Sequence, residues 1–205
     1  NKIKISKEII ATLPIETFPG KIVVIDNEKD ADNAVLQLNN ERIIGFDTET
    51  RPTFKKGKSN HVALIQLSTH DTCYLFRINR IGFTPAIKNL LENESLLKVG
   101  ISLKDDFCML SRLNGGQFIP RNFIELQKFV KKYNIEDQSL QKIYGIVIGK
   151  KISKGQRLSN WEADHLTENQ QLYAATDAWS CIKIYEVLKS GKFKSPIYKI
   201  QPSSL

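Results

Sequence analysis

The sequence is poor in the residues that hold transition metals. Its three cysteines, Cys73, Cys108 and Cys181, lie far apart without a C-x-x-C pair, and only three histidines accompany them. A structural zinc site is not expected from that inventory, and buried free thiols are. Any metal would have to be held by carboxylates, which favours Mg²⁺ or Mn²⁺. No run approaches the roughly 18 to 20 apolar residues that span a bilayer. No basic-then-apolar signal peptide opens the chain either, so a cytoplasmic protein without a membrane partner is the expectation. Repeats, low-complexity tracts and Pro/Gly-rich linkers are also absent. At 205 residues, one domain with a substantial core is the economical reading.

Acids are scarcer than bases. Against 30 Lys and Arg stand 22 Asp and Glu, a net charge of +8. Such an excess points to a polyanionic partner, nucleic acid or an anionic surface, or to a merely soluble basic protein. The basic residues gather at 51–58 (RPTFKKGK), 128–132 (KFVKK), 149–157 (GKKISKGQR) and 189–194 (KSGKFK).

The pattern along the chain predicts strands at 21–26, 42–49, 61–68, 72–76 and 96–102, with a short one in NFIELQ. HVALIQLS and TCYLF should pair as an antiparallel hairpin across THDT. Helices are predicted over DNEKDADNAVLQLN, over TPAIKNLLEN from N-cap Thr84 and Pro85, and over KDDFCMLSRLNGG. Others follow at 126–134, at 139–148 and from Thr167, where TENQ has capping-box spacing. Strands alternating with helices, then helices alone, indicate an α/β domain with a mixed sheet.

Asp47 and Glu49 are one residue apart. On a strand, a period of two puts both carboxylates on one face, and such a like-charged pair persists most readily around a cation. A second strand, LLKVGIS, also runs into acids, Asp105 and Asp106, at the start of a helix. The macrodipole alone would favour them there. On the helix from Thr167, Tyr173 and Asp177 sit one turn apart, off the apolar stripe of Leu172, Ala175, Trp179 and Ile182.

D-x-E on a strand, one Asp at a later strand-to-helix junction and Y-x-x-x-D on a late helix occur in that order. With IIGFDTE, VALIQLS, KVGI, LSNWE and LTENQQLYAATDA, the chain resembles the DEDD superfamily of 3′–5′ exonucleases. Within it, it is most similar to the tyrosine subclass and the Werner-syndrome exonuclease group, and more distantly to ribonuclease D. The resemblance covers about Lys21 to Leu188. It implies a ribonuclease-H-like fold, a mixed sheet flanked by helices, with an exonuclease domain at 21–190 between a lead-in at 1–20 and a tail at 191–205.

The resemblance also implies residue roles. Asp47, Glu49 and Asp177 match the acids that bind a pair of Mg²⁺ or Mn²⁺ ions. Asp105 matches the second-motif aspartate, with Asp106 in competition for that place. Tyr173 matches the residue that orients the attacking water. The substrate would be nucleic acid with a free 3′ end, DNA more than RNA, releasing nucleoside 5′-monophosphates. Two alternatives stay open: a ribonuclease D-like RNA-trimming enzyme, and a non-catalytic nucleic-acid-binding module of the same fold.

Expected nucleic-acid contacts are Thr48 between the paired acids, Arg51 in the following basic loop, and His61 and Leu64 at the next strand. Lys154 and Arg157 before the last helix join them; Trp161 could stack on a base, but core packing is its preferred reading, as a satisfied structural role is for His61. Ala174, Ala175 and Thr176 are expected to let that helix approach the acidic edge of the sheet.

Overall fold

A computed structural model describes residues 2–195. In chain order the elements are α1 (Lys7–Thr12), β1 (Lys21–Ile25), α2 (Glu28–Leu38), β2 (Ile43–Thr50), β3 (Val62–Ser68) and β4 (Thr72–Phe76). Then come α3 (Ile78–Ile81), α4 (Pro85–Leu91), β5 (Leu97–Gly100), α5 (Leu103–Leu113), β6 (Phe123–Glu125) and α6 (Leu126–Phe129). A 3₁₀ turn (Val130–Tyr133), α7 (Leu140–Ile148) and α8 (Glu168–Lys189) complete the order.

The six strands form one sheet in the order β1-β4-β3-β2-β5-β6. β2, β3 and β4 pair antiparallel, while β1 with β4, β2 with β5 and β5 with β6 are parallel. The mixed sheet and the β3–β4 hairpin follow the sequence pattern. Thr84 caps α4, and Thr167 with Gln170 closes a full capping box on α8. The helices α1 and α3 had no sequence signal, being short segments of 6 and 4 residues.

Alternation on β2 divides the core. Ile44 and Phe46 pack with α2, α4 and α5, beside an edge-to-face cluster of Phe46, Phe107 and Phe123. Gly45, Asp47 and Glu49 turn to the opposite face, where α8 lies. The predicted two-sided pattern of α8 does not hold. The helix is buried on several sides, with Tyr173, Asp177 and Ser180 as enclosed as Ala175 and Trp179. It is sandwiched between the sheet, α7 and the N-terminal segment.

The close approach of α8 depends on Gly45, a residue the sequence pattern did not single out. A Cβ there would lie 1.9 Å from the Ala178 carbonyl oxygen. Ala174, Ala175 and Ala178 are fully buried along this contact. Thr176 has another task, accepting a hydrogen bond from the Phe18 backbone N–H at 3.0 Å. Gly45→Ala should therefore cost about 2–3 kcal/mol, as overpacked cores do. Chemical denaturation measures this, and an unchanged midpoint would show that α8 can shift freely.

Residues expected as a lead-in are tied to the fold. Ile3 bridges to Ile135 and Ile15 to Lys151, and the Ile5 N–H donates to Asp137 Oδ2 at 2.7 Å. Of the expected tail at 191–205, residues 196–205 lie outside the described residues. Cys73 and Cys181 are buried as expected, but Cys108 is exposed. Among the described residues no helix is long and apolar enough to cross a membrane.

Candidate active site

β2 carries the apolar run that buries it in the sheet and then, at its C-terminal end, Asp47 and Glu49. Their same-face spacing aims both at α8. Asp177 comes from the middle of that helix, close to the Ala178 carbonyl that rests on Gly45. Carboxylate oxygens of Asp47, Glu49 and Asp177 lie within 4.8 Å of one another.

Such crowding without a cation is costly, and the acidities record it. Burial, then the charges of Glu49, Asp177 and Asp106, raises the Asp47 carboxyl well above the ordinary range. Glu49 is raised by burial and by Asp177 and Asp106, with partial relief from the Gln66 amide and Arg157. Burial lifts Asp177 to about 8, against the Tyr173 hydroxyl, which favours its charged form. Asp177 Oδ1 is buried without a hydrogen-bond partner. An orphaned carboxyl oxygen in a cluster of three carboxyl groups is the environment a hard divalent cation fits.

Asp106 is a further acid beside the cluster. α5 begins at Leu103 and carries Asp105 and Asp106 in its first turn. Asp105 is exposed, whereas Asp106 is partly buried and accepts a hydrogen bond from the Thr48 hydroxyl. Its charge acts on both Asp47 and Glu49, and burial raises its own carboxyl to about 7. The sequence preferred Asp105 for this place; here the helical phase turns Asp106, not Asp105, toward Thr48 and the charges of Asp47 and Glu49. Thr48, expected at nucleic acid, points to the α5 side of β2 and holds that aspartate.

Tyr173 stands one turn before Asp177. Burial, then the charges of Asp177, Glu49 and Asp47, keeps its phenol protonated far above the usual range. Its ring stacks on Trp161, with centroids 6.0 Å apart and planes at 29°. Trp161 is fully buried and so is Leu64, in the same apolar cluster. For Trp161 this is the core-packing role preferred from the sequence; Leu64, expected near the terminal nucleotide, is instead enclosed with it. The same packing holds Tyr173 against the acids.

His61 is exposed before β3. Arg51 is exposed and pairs with Glu162 at 3.6 Å, joining the loop after β2 to the loop before α8. Lys154 and Arg157 are exposed on that second loop, and only Arg157 acts on a cluster acid, Glu49. The backbone of this loop is tied to the N-terminal segment, with Lys151 N–H on Pro14 O and Glu16 N–H on Lys151 O, both 2.9 Å.

Two supporting residues were not among the expected site residues. Gln66 lies opposite Asp47 on β3, fully buried, and its amide reaches both Ala174 O at 3.4 Å and Glu49. Glu125, at the end of β6, accepts from the backbone N–H groups of Ser102, Leu103 and Gln127. It thereby fixes the start of α5. Its sequence signal was the one used for Asp47, an acid closing an apolar strand.

Residues 22–191 match the family model described as 3′–5′ exonuclease. The mouse (Mus musculus) bifunctional 3′–5′ exonuclease/ATP-dependent helicase WRN is 35% identical over 193 residues, which is 86% of this chain and 13% of that protein. The Nibbler EXO domain of Aedes aegypti superimposes with a TM-score of 0.76 at 23% identity, covering 85% of this chain and 91% of that one. Ribonuclease D of Escherichia coli, an exoribonuclease involved in structured RNA processing, gives 0.64 at 20% identity, covering 84% and 45%. These folds are ribonuclease-H-like, as expected here. With the family model spanning most of its length, the chain belongs to the 3′–5′ exonuclease family.

Proposed function

We propose that this chain hydrolyses phosphodiester bonds from the 3′ end of DNA, releasing nucleoside 5′-monophosphates. Four carboxylates would hold two Mg²⁺ or Mn²⁺ ions: Asp47, Glu49 and Asp177 around the shared centre, with Asp106 at its α5 side. Bound there, such ions would supply an activated water, a clamp on the scissile phosphate and stabilisation of the leaving oxygen. The observation that carries the reading is the orphaned Asp177 Oδ1 inside a cluster of raised carboxyls.

Tyr173 remains a neutral hydroxyl throughout the working pH range, so it orients water by hydrogen bonding rather than acting as a base. Gln66 keeps Glu49 in place and Thr48 does the same for Asp106. Arg157, beside Glu49, would meet the phosphate next to the scissile bond, with Lys154 and Arg51 on the flanking loops. All three positions are exposed cations at the site's rim.

DNA is favoured because the relative at 35% identity is joined to a helicase in one protein. RNA is the second reading, favoured by the ribonuclease D fold. The test is digestion of matched 5′-labelled DNA and RNA oligonucleotides in Mg²⁺ or Mn²⁺, with Asp47→Ala as control. A ladder shortening from the 3′ end is expected, absent in EDTA and in the variant. Full activity of Asp47→Ala would overturn the assignment, and faster RNA loss would select the second reading.

A further inference from the structure

A groove of ≈ 690 Å³ opens between the first turn of α5 and the β6–α6 segment. Its size falls within the range of about 300–1,000 Å³ common to ligand sites. Lys104 stands on one wall, Lys128 and Lys131 on the other, and half-buried Phe107 and Phe123 also line it. None of these three lysines takes part in an ion pair among the described residues. Of the two acids in the groove, Glu125 is engaged by three backbone N–H groups, which leaves Asp105, the neighbour of Asp106.

Facing cations without ion-pair partners suit the phosphates of a single nucleic-acid strand, while half-buried Phe107 and Phe123, packed into the Phe46 cluster, give the groove an apolar floor. An anionic small molecule would need fewer cations and no length. Glu125 on the groove wall closes β6 at the same edge of the sheet where parallel β2 carries Asp47 and Glu49, and Asp105 is the neighbour of Asp106, so a strand whose 3′ end reaches the acids can leave along this groove. We propose that the groove between α5 and α6 holds the single-stranded segment of the substrate 5′ to the scissile bond. This rests on the exonuclease reading of the acid cluster and adds to it a length dependence.

The test compares a DNA dinucleotide with a single-stranded DNA oligonucleotide of about 12 nucleotides, on the wild type and Lys128→Glu/Lys131→Glu. The ratio of kcat/KM for the long substrate to that for the dinucleotide is expected to fall about tenfold in the variant. Binding of the long oligonucleotide, read by fluorescence anisotropy in Ca²⁺, should lose salt dependence, the log–log slope shrinking by about 1.4 for two lost phosphate contacts. Lys29→Glu/Lys189→Glu, exposed positions on α2 and α8, supplies the net-charge control. An equal loss in that control, or an unchanged length ratio and slope, would overturn the groove assignment. Failure of the wild type to cleave either substrate would instead overturn the exonuclease reading, while the anisotropy still decides the groove. Lys128→Gln/Lys131→Gln, with a smaller charge change, should show the same sign at reduced size and guards against misfolding.

Discussion

Asp106→Asn is expected to lower kcat/KM on a single-stranded oligonucleotide by about 10³-fold, near 4 kcal/mol of transition-state stabilisation. That loss should exceed the one from Asp105→Asn by about 100-fold. The two residues are adjacent on the same helical turn, so dipole and net charge are altered equally in both variants. They differ in direction. Asp106 accepts from Thr48 and acts on Asp47 and Glu49, while Asp105 is exposed in the lysine-lined groove. Steady-state kinetics on both variants, with matched thermal melts, decide it. A larger loss at Asp105 would mean that α5 rotates when substrate enters.

In EDTA, the unfolding free energy should fall as pH rises from about 4 to about 8, by a total on the order of several kcal/mol. The sign follows from proton counting. Asp47 and Glu49 are raised well above their ordinary values, Asp106 to about 7 and Asp177 to about 8. Between the unfolded and folded values the native state binds more protons than the unfolded chain. Its stability is therefore complete below pH 4 for these groups and is lost as they ionise against one another. Excess Mg²⁺ or Mn²⁺ should flatten the curve, because a cation takes over what the protons did. At 100 times its Kd a bound ligand adds about 2.7 kcal/mol by mass action alone. Asp47→Asn should likewise raise the melting temperature at pH 8 in EDTA while abolishing turnover, a gain of stability at the expense of function. A pH-independent melt in EDTA would show that the carboxylates are not crowded in solution.

The acids on β2 were legible because side chains on a strand alternate, and D-x-E leaves no choice of face. The first turn of α5 was not. Adjacent helical residues point about 100° apart, and spacing from Gly100 cannot fix which of Asp105 and Asp106 turns inward. That phase is set by Glu125 gripping the N–H groups of Ser102 and Leu103, a contact across 22 or 23 residues. The N-terminal segment was illegible for a related reason. It is held by backbone bridges at Ile3 and Ile15, which leave no periodic trace. Small residues near Asp177 did announce a close helix, but the decisive one lay across the contact, at Gly45. Leu64 was read toward substrate because sequence carries no depth; in the fold it lies with Trp161 in the wall behind Tyr173.

The contact between Gly45 and Ala178 has a kinetic consequence. The acids it brings together belong to opposite ends of the chain, so no fragment of local structure can assemble them. Closing such a long loop is slow and yields nothing until the last helix docks. During refolding, recovery of a divalent-ion site should therefore coincide with the final phase and never precede it.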